Sequence, residues 1–182
     1  MEILDEIENE VWFILTSIYT HQRMVENITN ILKSSTRYEL ANQFVAMNAV
    51  VEILIIRIAR LADKTRGMRT VSMLVKRWPF PKLLDQVELA ANDFLALAKP
   101  IVKIRHEEIA HMKPGICSNY GYTAIPAQVI KAAESLVRLI DVAKEQQQTY
   151  TYRVGSMEAE IDLRASLVAG KMVTVATVGK YA

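Results

Sequence analysis

Apolar residues recur every three or four positions over four long stretches of this chain, and this period constrains the fold more than any other feature. The stretches are residues 3–33, 37–64, 82–98 and 126–147. Such spacing places apolar side chains on one face of an α-helix, which buries that face against other helices. Glycine and proline are scarce, at 6 and 5 residues. The pattern therefore predicts an all-α fold, an up-and-down bundle of four to five helices.

Capping and breaking residues mark where these helices begin and end. Ser34, Ser35 and Thr36 supply a stop and a new N-cap between the first two helices. Thr70 can cap a short helix over residues 71–78. Pro100 lies inside an otherwise helical pattern, so we expect a kink or a new helix start there.

The composition changes after residues 146–148, which are three glutamines. We therefore predict a helical domain over 1–148 and a C-terminal extension over 149–182 that is irregular or mixed α/β. Within the extension, residues 149–154 and 172–178 have strand-like patterns. Residues 156–169 predict a short helix that Ser156 caps and Gly170 closes.

Charge and cysteine content narrow the functional classes. A formal net charge of +2 is too small to indicate nucleic-acid binding by the whole surface, so such binding would need a local basic patch. Cys117 is the only cysteine, which excludes a disulfide within the chain and favours a reducing compartment. The acidic start differs from a signal peptide, and the apolar run 49–56 is far shorter than the about 20 residues that span a bilayer. These features predict a cytoplasmic protein without a membrane partner.

Titratable and phosphate-binding groups concentrate in residues 99–115, the sequence KPIVKIRHEEIAHMKPG. The segment contains two of the three histidines, an arginine, two glutamates and three lysines, namely His106, His111, Arg105, Glu107, Glu108, Lys99, Lys103 and Lys113. Three interpretations are compatible with this set: a metal site, metal-free chemistry on a phosphodiester, and a helix end with a structural role alone.

The metal interpretation depends on spacing. His106 and His111 are about 140° out of alignment on a helix, whereas the zinc-protease motif needs histidines at i and i+4. Glu108 and His111 form one Glu-x-x-His pair, but a di-iron site needs two, so a dimer would have to supply the second. We therefore predict no metal ion and no other cofactor.

Metal-free cleavage of RNA needs only a proton-transfer group and a cation, because RNA carries its own nucleophile, the 2′-hydroxyl. Arg105 offers a planar fork of donors for phosphate, and His111 can transfer a proton near neutral pH. Glu107, four positions before His111, could orient that imidazole. On an α-helix Arg105 and His111 would be about 120° apart, so they would flank a groove or combine across a two-fold axis.

Two charged residues upstream have two interpretations of their own. Arg60 and Asp63 are i,i+3 neighbours at the end of the second helix, where a salt bridge would fix the helix end. Alternatively, an arginine at this position reaches the region of Arg105 and His111.

The run from Arg105 to His111, Arg-His-Glu-Glu-Ile-Ala-His, resembles the Arg-x(4–6)-His signature of the HEPN superfamily (higher eukaryote and prokaryote nucleotide-binding domains). Its abortive-infection U-type branch has a segment similar to Arg-(Asn/Asp)-Lys-x-x-Ala-His, which Ala110 and His111 match. His106 stands where that branch has asparagine or aspartate. The block from Arg57 to Lys64, followed by residues 70–74, is similar to the same branch.

This resemblance, which covers about residues 5–147, implies a HEPN-like helical bundle that dimerises with the motif helices near the two-fold axis. It also implies a metal-independent endoribonuclease of a defence or toxin–antitoxin system, with RNA, a second copy of the chain, and an antitoxin or regulatory protein as partners. Arg105 would stabilise the phosphate and His111 would transfer the proton.

Other residues of the segment would support this site: His106 and Glu107 beside the catalytic pair, and Lys99, Lys103 and Lys113 along the RNA backbone. Some members of the superfamily do not catalyse a reaction. The competing hypothesis is therefore a dimeric HEPN-like module that binds a nucleotide, RNA or a partner protein without cutting it.

Overall fold

A computed structural model describes residues 2–65, 69–110, 124–153 and 160–175 of the chain. These residues are mostly helical, which confirms the predicted class, and a small antiparallel sheet lies near the C-terminus. The helices are α1 (Glu2–Ser34), α2 (Arg37–Leu61), α3 (Val71–Lys76), α4 (Leu84–Ile104), α5 (Ala127–Lys144) and α6 (Leu163–Ala169), with a 3₁₀ turn at Pro81–Leu83 and a π-helical turn at Arg105–Ala110. The strands are β1 (Thr151–Tyr152), β2 (Glu160–Asp162) and β3 (Thr174–Val175).

Two helix starts lie where the capping residues predict them. The Thr36 hydroxyl accepts a hydrogen bond from the backbone N–H of Glu39, and the Glu39 carboxylate accepts one from the backbone N–H of Thr36. This reciprocal pair satisfies two donors that the first turn of α2 would otherwise leave open. Thr70 caps α3 in the same way, through the backbone N–H of Met73. Both predicted N-caps are confirmed.

The hydrophobic core forms where α1, α2, α4 and α5 pack against one another. Each of these helices contributes side chains that are fully buried, including Ile14, Leu54, Phe94 and Leu136. No helix in the described ranges is both long enough and apolar enough to cross a membrane.

Helix α4 continues through Pro100, so the prediction of a new helix start at this residue is wrong. Proline cannot donate to the carbonyl of Ala96, but both residues are exposed, so water can satisfy that carbonyl. Ala98 and Ile101 on the opposite face are buried in the core. The helix therefore keeps its packed face and loses one hydrogen bond on its solvent side.

A π-helical turn follows α4 over Arg105–Ala110, which the sequence pattern does not predict. Ile104 and Ile109 both pack against the core although they are five positions apart. A turn with i→i+5 hydrogen bonds brings such a pair onto one face, whereas an α-helix would separate them. The angle of about 120° between Arg105 and His111, which assumed α-helical geometry, therefore does not apply to this segment.

The C-terminal extension differs in part from its prediction. Residues 160–162 form the central strand of the sheet, and α6 begins only at Leu163. The side chain of Asp162 caps it by accepting from the backbone N–H of Ala165, while Ser156 lies outside the described residues. Gly170 ends the helix in the left-handed conformation, as predicted. Strands β1 and β3 fall within the two stretches that have strand-like patterns.

The extension is part of the same core as the long helices. Tyr150, Ile161, Leu163 and Leu167 are buried in the main hydrophobic cluster, and α6 packs against α1. The ring of Tyr150 makes an edge-to-face contact with Trp12, with 5.2 Å between ring centroids.

The far end of the α1–α2 hairpin is much less buried than its base. Between residues 22 and 46, which the structure describes throughout, no side chain is buried. Helix α2 also exposes large apolar side chains at Tyr38, Val45 and Ile53.

Candidate functional site

A polar cavity of about 330 Å³ lies between α1, the C-terminal end of α2, the segment that follows α2, and the π-helical turn. Eight residues line it: Glu6 and Glu10 from α1, Arg57, Arg60 and Leu61 from α2, Asp63 and Arg69 from the following segment, and Arg105 from the turn. Its volume is at the lower end of the range for small-molecule sites, which is about 300–1,000 Å³.

Packing of the π-helical turn against α2 brings Arg105 to this cavity. Arg105 is the first residue of the turn, and its backbone N–H still donates to the carbonyls of Ile101 and Val102 in α4. Its backbone is therefore tied to the end of a long, buried helix. Its side chain is half-buried at the cavity wall.

Carboxylates of α1 hold two of the four cavity arginines. Arg57 forms an ion pair with Glu10, with 2.6 Å between Nη1 and Oε2, and its guanidinium lies 4.6 Å from the centre of the Phe13 ring. Arg69 pairs with Glu6 across 3.5 Å. These contacts fix the position of two cations and neutralise part of their charge.

Arg60 and Arg105 differ from these two arginines, because neither forms an ion pair with any residue that the structure describes. The remaining carboxylate of the cavity, Asp63, instead accepts two hydrogen bonds from Thr65, at 2.9 Å from its backbone N–H and 2.7 Å from its hydroxyl. These hydrogen bonds lower the pKa of Asp63, and the charge of Arg105 lowers it further. Asp63 is thus a fixed anion at neutral pH.

The structure decides between the two interpretations of Arg60 and Asp63. The predicted salt bridge is absent within the described residues, because Thr65 takes the carboxylate of Asp63. Arg60 instead lines the same cavity as Arg105. This agrees with the part of the second interpretation that concerns Arg105, whereas His111 lies outside the described residues.

Other residues of the 99–115 segment lie elsewhere. Lys99, Lys103 and His106 are exposed and do not line the cavity. Glu107 is about three-quarters buried and lies 4.0 Å from the ammonium of Lys103. His111 and Lys113 fall outside the described residues, so the proposed contact between Glu107 and His111 stays a prediction.

Three cavity residues were not found from the sequence: Glu6, Glu10 and Arg69. Glu6 and Glu10 are an i,i+4 pair beside Ile7 and Val11, which are buried. Carboxylates at the edge of a buried stripe need a cationic partner more than those on the solvent face, and this position was the available signal. The sequence around Arg69 carried no such signal.

The arrangement favours anion binding. Four arginines and three carboxylates line the cavity, so its formal charge is positive, and two of the arginines form no ion pair with a described residue. Guanidinium forks match the oxygens of a phosphate group. Across the described ranges, no group of three or more histidine, cysteine, aspartate or glutamate side chains is placed to hold a metal ion.

Comparison with known proteins gives no relative: the chain matches no protein-family model, no curated protein and no solved structure.

Proposed function

We propose that this protein is a metal-independent endoribonuclease of the HEPN type, with a helical bundle that acts as a homodimer in the cytoplasm. The observation that supports this most strongly is the position of Arg105. The arginine of the Arg-x(4–6)-His run lines a polar cavity together with a second arginine, Arg60, and neither forms an ion pair among the described residues.

In the proposed reaction, the 2′-hydroxyl of a nucleotide attacks the adjacent phosphorus, and the bond to the 5′-oxygen of the next nucleotide breaks. His111 transfers the proton between the attacking and leaving oxygens. Arg105, with Arg60 beside it, stabilises the charge that develops on the phosphoryl oxygens. The products are a 2′,3′-cyclic phosphate and a free 5′-hydroxyl, so atoms balance without water or metal in this step.

Two further features support binding of an RNA chain by a dimer. Lys99 and Lys103 are exposed on α4, one turn apart, and α4 leads directly into the turn that carries Arg105. In this proposal the two lysines add positive charge on the path to Arg105, on a chain with little net charge. The exposed apolar side chains of α2 offer a surface that a second copy of the chain can cover.

The test is a cleavage assay on a mixed RNA pool with EDTA present. We expect wild-type protein to cut RNA, and Arg105→Ala and His111→Ala to reduce the rate by at least about a hundredfold. Arg138→Ala is the matched control, because Arg138 is exposed on α5 and lies outside the cavity lining. Circular dichroism and light scattering would establish that the variants keep the fold and the oligomeric state.

Two results would refute catalysis: no cleavage by wild-type protein, or variants that cut as fast as wild type. RNA binding without cleavage would support the competing hypothesis of a binding module.

A further inference from the structure

The Asp63 carboxylate is held through one of its two oxygens. Both hydrogen bonds from Thr65 end on Oδ1, which fixes the orientation of the carboxylate. Among the described residues no side chain donates to Oδ2, and Asp63 lines a cavity that Arg60 and Arg105 also line. An ionised carboxylate accepts hydrogen bonds and cannot donate them.

A carboxylate beside two arginines restricts which anions this cavity suits. A phosphodiester has no proton donor, so its oxygens are attracted by the arginines and repelled by Asp63. A ligand that combines a phosphate with a nearby hydroxyl satisfies both groups, because the hydroxyl donates to the carboxylate. The ribose 2′-hydroxyl is the donor that RNA has and DNA lacks.

We propose that Asp63 accepts a hydrogen bond from a ribose 2′-hydroxyl while Arg60 and Arg105 bind the adjacent phosphate, and that the cavity thereby selects RNA over DNA. The inference rests on the proposed function only in that RNA is the ligand of this cavity. Asp63 is a positioning and specificity residue here, not the base that removes the proton. Its lowered pKa makes it a weak base and a permanent acceptor.

The inference is tested by fluorescence anisotropy with three labelled oligonucleotides of one sequence, made with ribose, 2′-deoxyribose or 2′-fluororibose. Binding is measured in EDTA with the His111→Ala protein, and gels establish that each oligonucleotide stays intact. A hydrogen bond to a charged group corresponds to about tenfold or more in affinity. We therefore expect RNA to bind at least about tenfold more tightly than DNA, and 2′-fluoro RNA, which lacks the donor, to bind like DNA.

Substitutions separate sugar selection from phosphate binding. Asp63→Asn should reduce the preference for RNA to less than about threefold while DNA affinity stays the same or rises, because a negative charge is removed from an anion site. Arg60→Ala should weaken RNA and DNA binding by the same factor. Arg138→Ala should change neither.

Several outcomes would overturn the inference: equal affinity for RNA and DNA, 2′-fluoro RNA that binds as tightly as RNA, full preference in Asp63→Asn, or an equal loss of both affinities in that variant. If Asp63→Asn does not fold, the 2′-fluoro comparison decides alone. A parallel cleavage assay separates the two proposals. Cleavage without sugar preference would leave the ribonuclease and remove the role of Asp63, whereas preference without cleavage would do the reverse.

Discussion

Replacement of Arg60 by alanine should change how strongly RNA binding depends on salt. Each phosphate neutralised on a single strand contributes about 0.7 to the slope of log affinity against log salt concentration. The described residues offer two cations in the cavity, Arg60 and Arg105, and two exposed lysines on the helix that leads to Arg105, Lys99 and Lys103. With all four on phosphates the slope is about −2.8, and affinity falls about 50-fold between about 50 and 200 mM KCl. Without Arg60 the slope is about −2.1 and the loss is about 20-fold.

The assay is fluorescence anisotropy with a labelled single-stranded RNA at five or more salt concentrations, in EDTA and on the His111→Ala background. Arg138→Ala removes the same charge from an exposed position on α5 and should keep the wild-type slope. Equal changes of the slope in Arg60→Ala and Arg138→Ala, or a wild-type slope close to zero, would exclude a phosphate contact by Arg60.

Four further predictions concern stability. Arg57→Ala removes the ion pair with Glu10 and the contact with the Phe13 ring, so urea unfolding should show a loss of about 1 kcal/mol, and no loss would contradict the assigned contacts. Tyr150→Phe removes a buried hydroxyl that has no hydrogen-bond partner among the described residues, so the free energy of unfolding should stay equal or rise. A loss above about 1 kcal/mol would show that this hydroxyl makes a hydrogen bond. Burial also raises the pKa of Tyr150. The stability that depends on its neutral form is therefore present below about pH 10 and is lost as the pH rises further. Urea unfolding at alkaline pH should accordingly show a smaller loss of stability in Tyr150→Phe than in wild type. The lowered pKa of Asp63 acts in the opposite direction. The contribution of the ionised carboxylate to stability is present above about pH 4 and is lost as the pH falls through the lowered pKa. Asp63→Asn should therefore lose less stability than wild type as the pH falls, and an equal loss would contradict the lowered pKa of Asp63.

Helix boundaries were predictable where a local hydrogen bond sets them. Thr36 and Thr70 cap the helices that follow them, and Gly170 ends α6, because each depends on neighbours within four residues. The start of α6 was not predictable in this way. Ser156 and Asp162 are both suitable caps, and the pairing of residues 160–162 between β1 and β3 favours the later one.

Around Arg105 the local sequence pattern is insufficient to predict how the helix ends. Pro100 predicts a kink or a new helix start, yet α4 continues through it, because Ala98 and Ile101 are buried and the proline lies on the solvent side. The π-helical turn likewise depends on packing of Ile104 and Ile109 against other helices. A helical period read from one segment contains no information about those partners.

The candidate site was predictable in Arg60, Asp63 and Arg105, and not in the two glutamates of α1 or in Arg69. Arg105 belongs to a recognisable run, and Arg60 to an upstream block that resembles the same family. The ion pairs that shape the cavity join residues 47 positions apart in Arg57 and Glu10, and 63 apart in Arg69 and Glu6. Such contacts depend on how α1 packs against α2, which periodicity leaves undetermined.

Cleavage by the 2′-hydroxyl is tested most directly with a DNA oligonucleotide that contains a single ribonucleotide, incubated with the protein in EDTA. We predict one cut, directly 3′ of the ribonucleotide, with a 2′,3′-cyclic phosphate on one fragment and a 5′-hydroxyl on the other, both identified by mass spectrometry. Arg105→Ala should abolish this cut and Arg138→Ala should retain it. Cleavage at deoxyribonucleotides, or fragments that end in a 3′-hydroxyl and a 5′-phosphate, would exclude attack by the 2′-hydroxyl. The same cut by Arg105→Ala would exclude a catalytic role for Arg105.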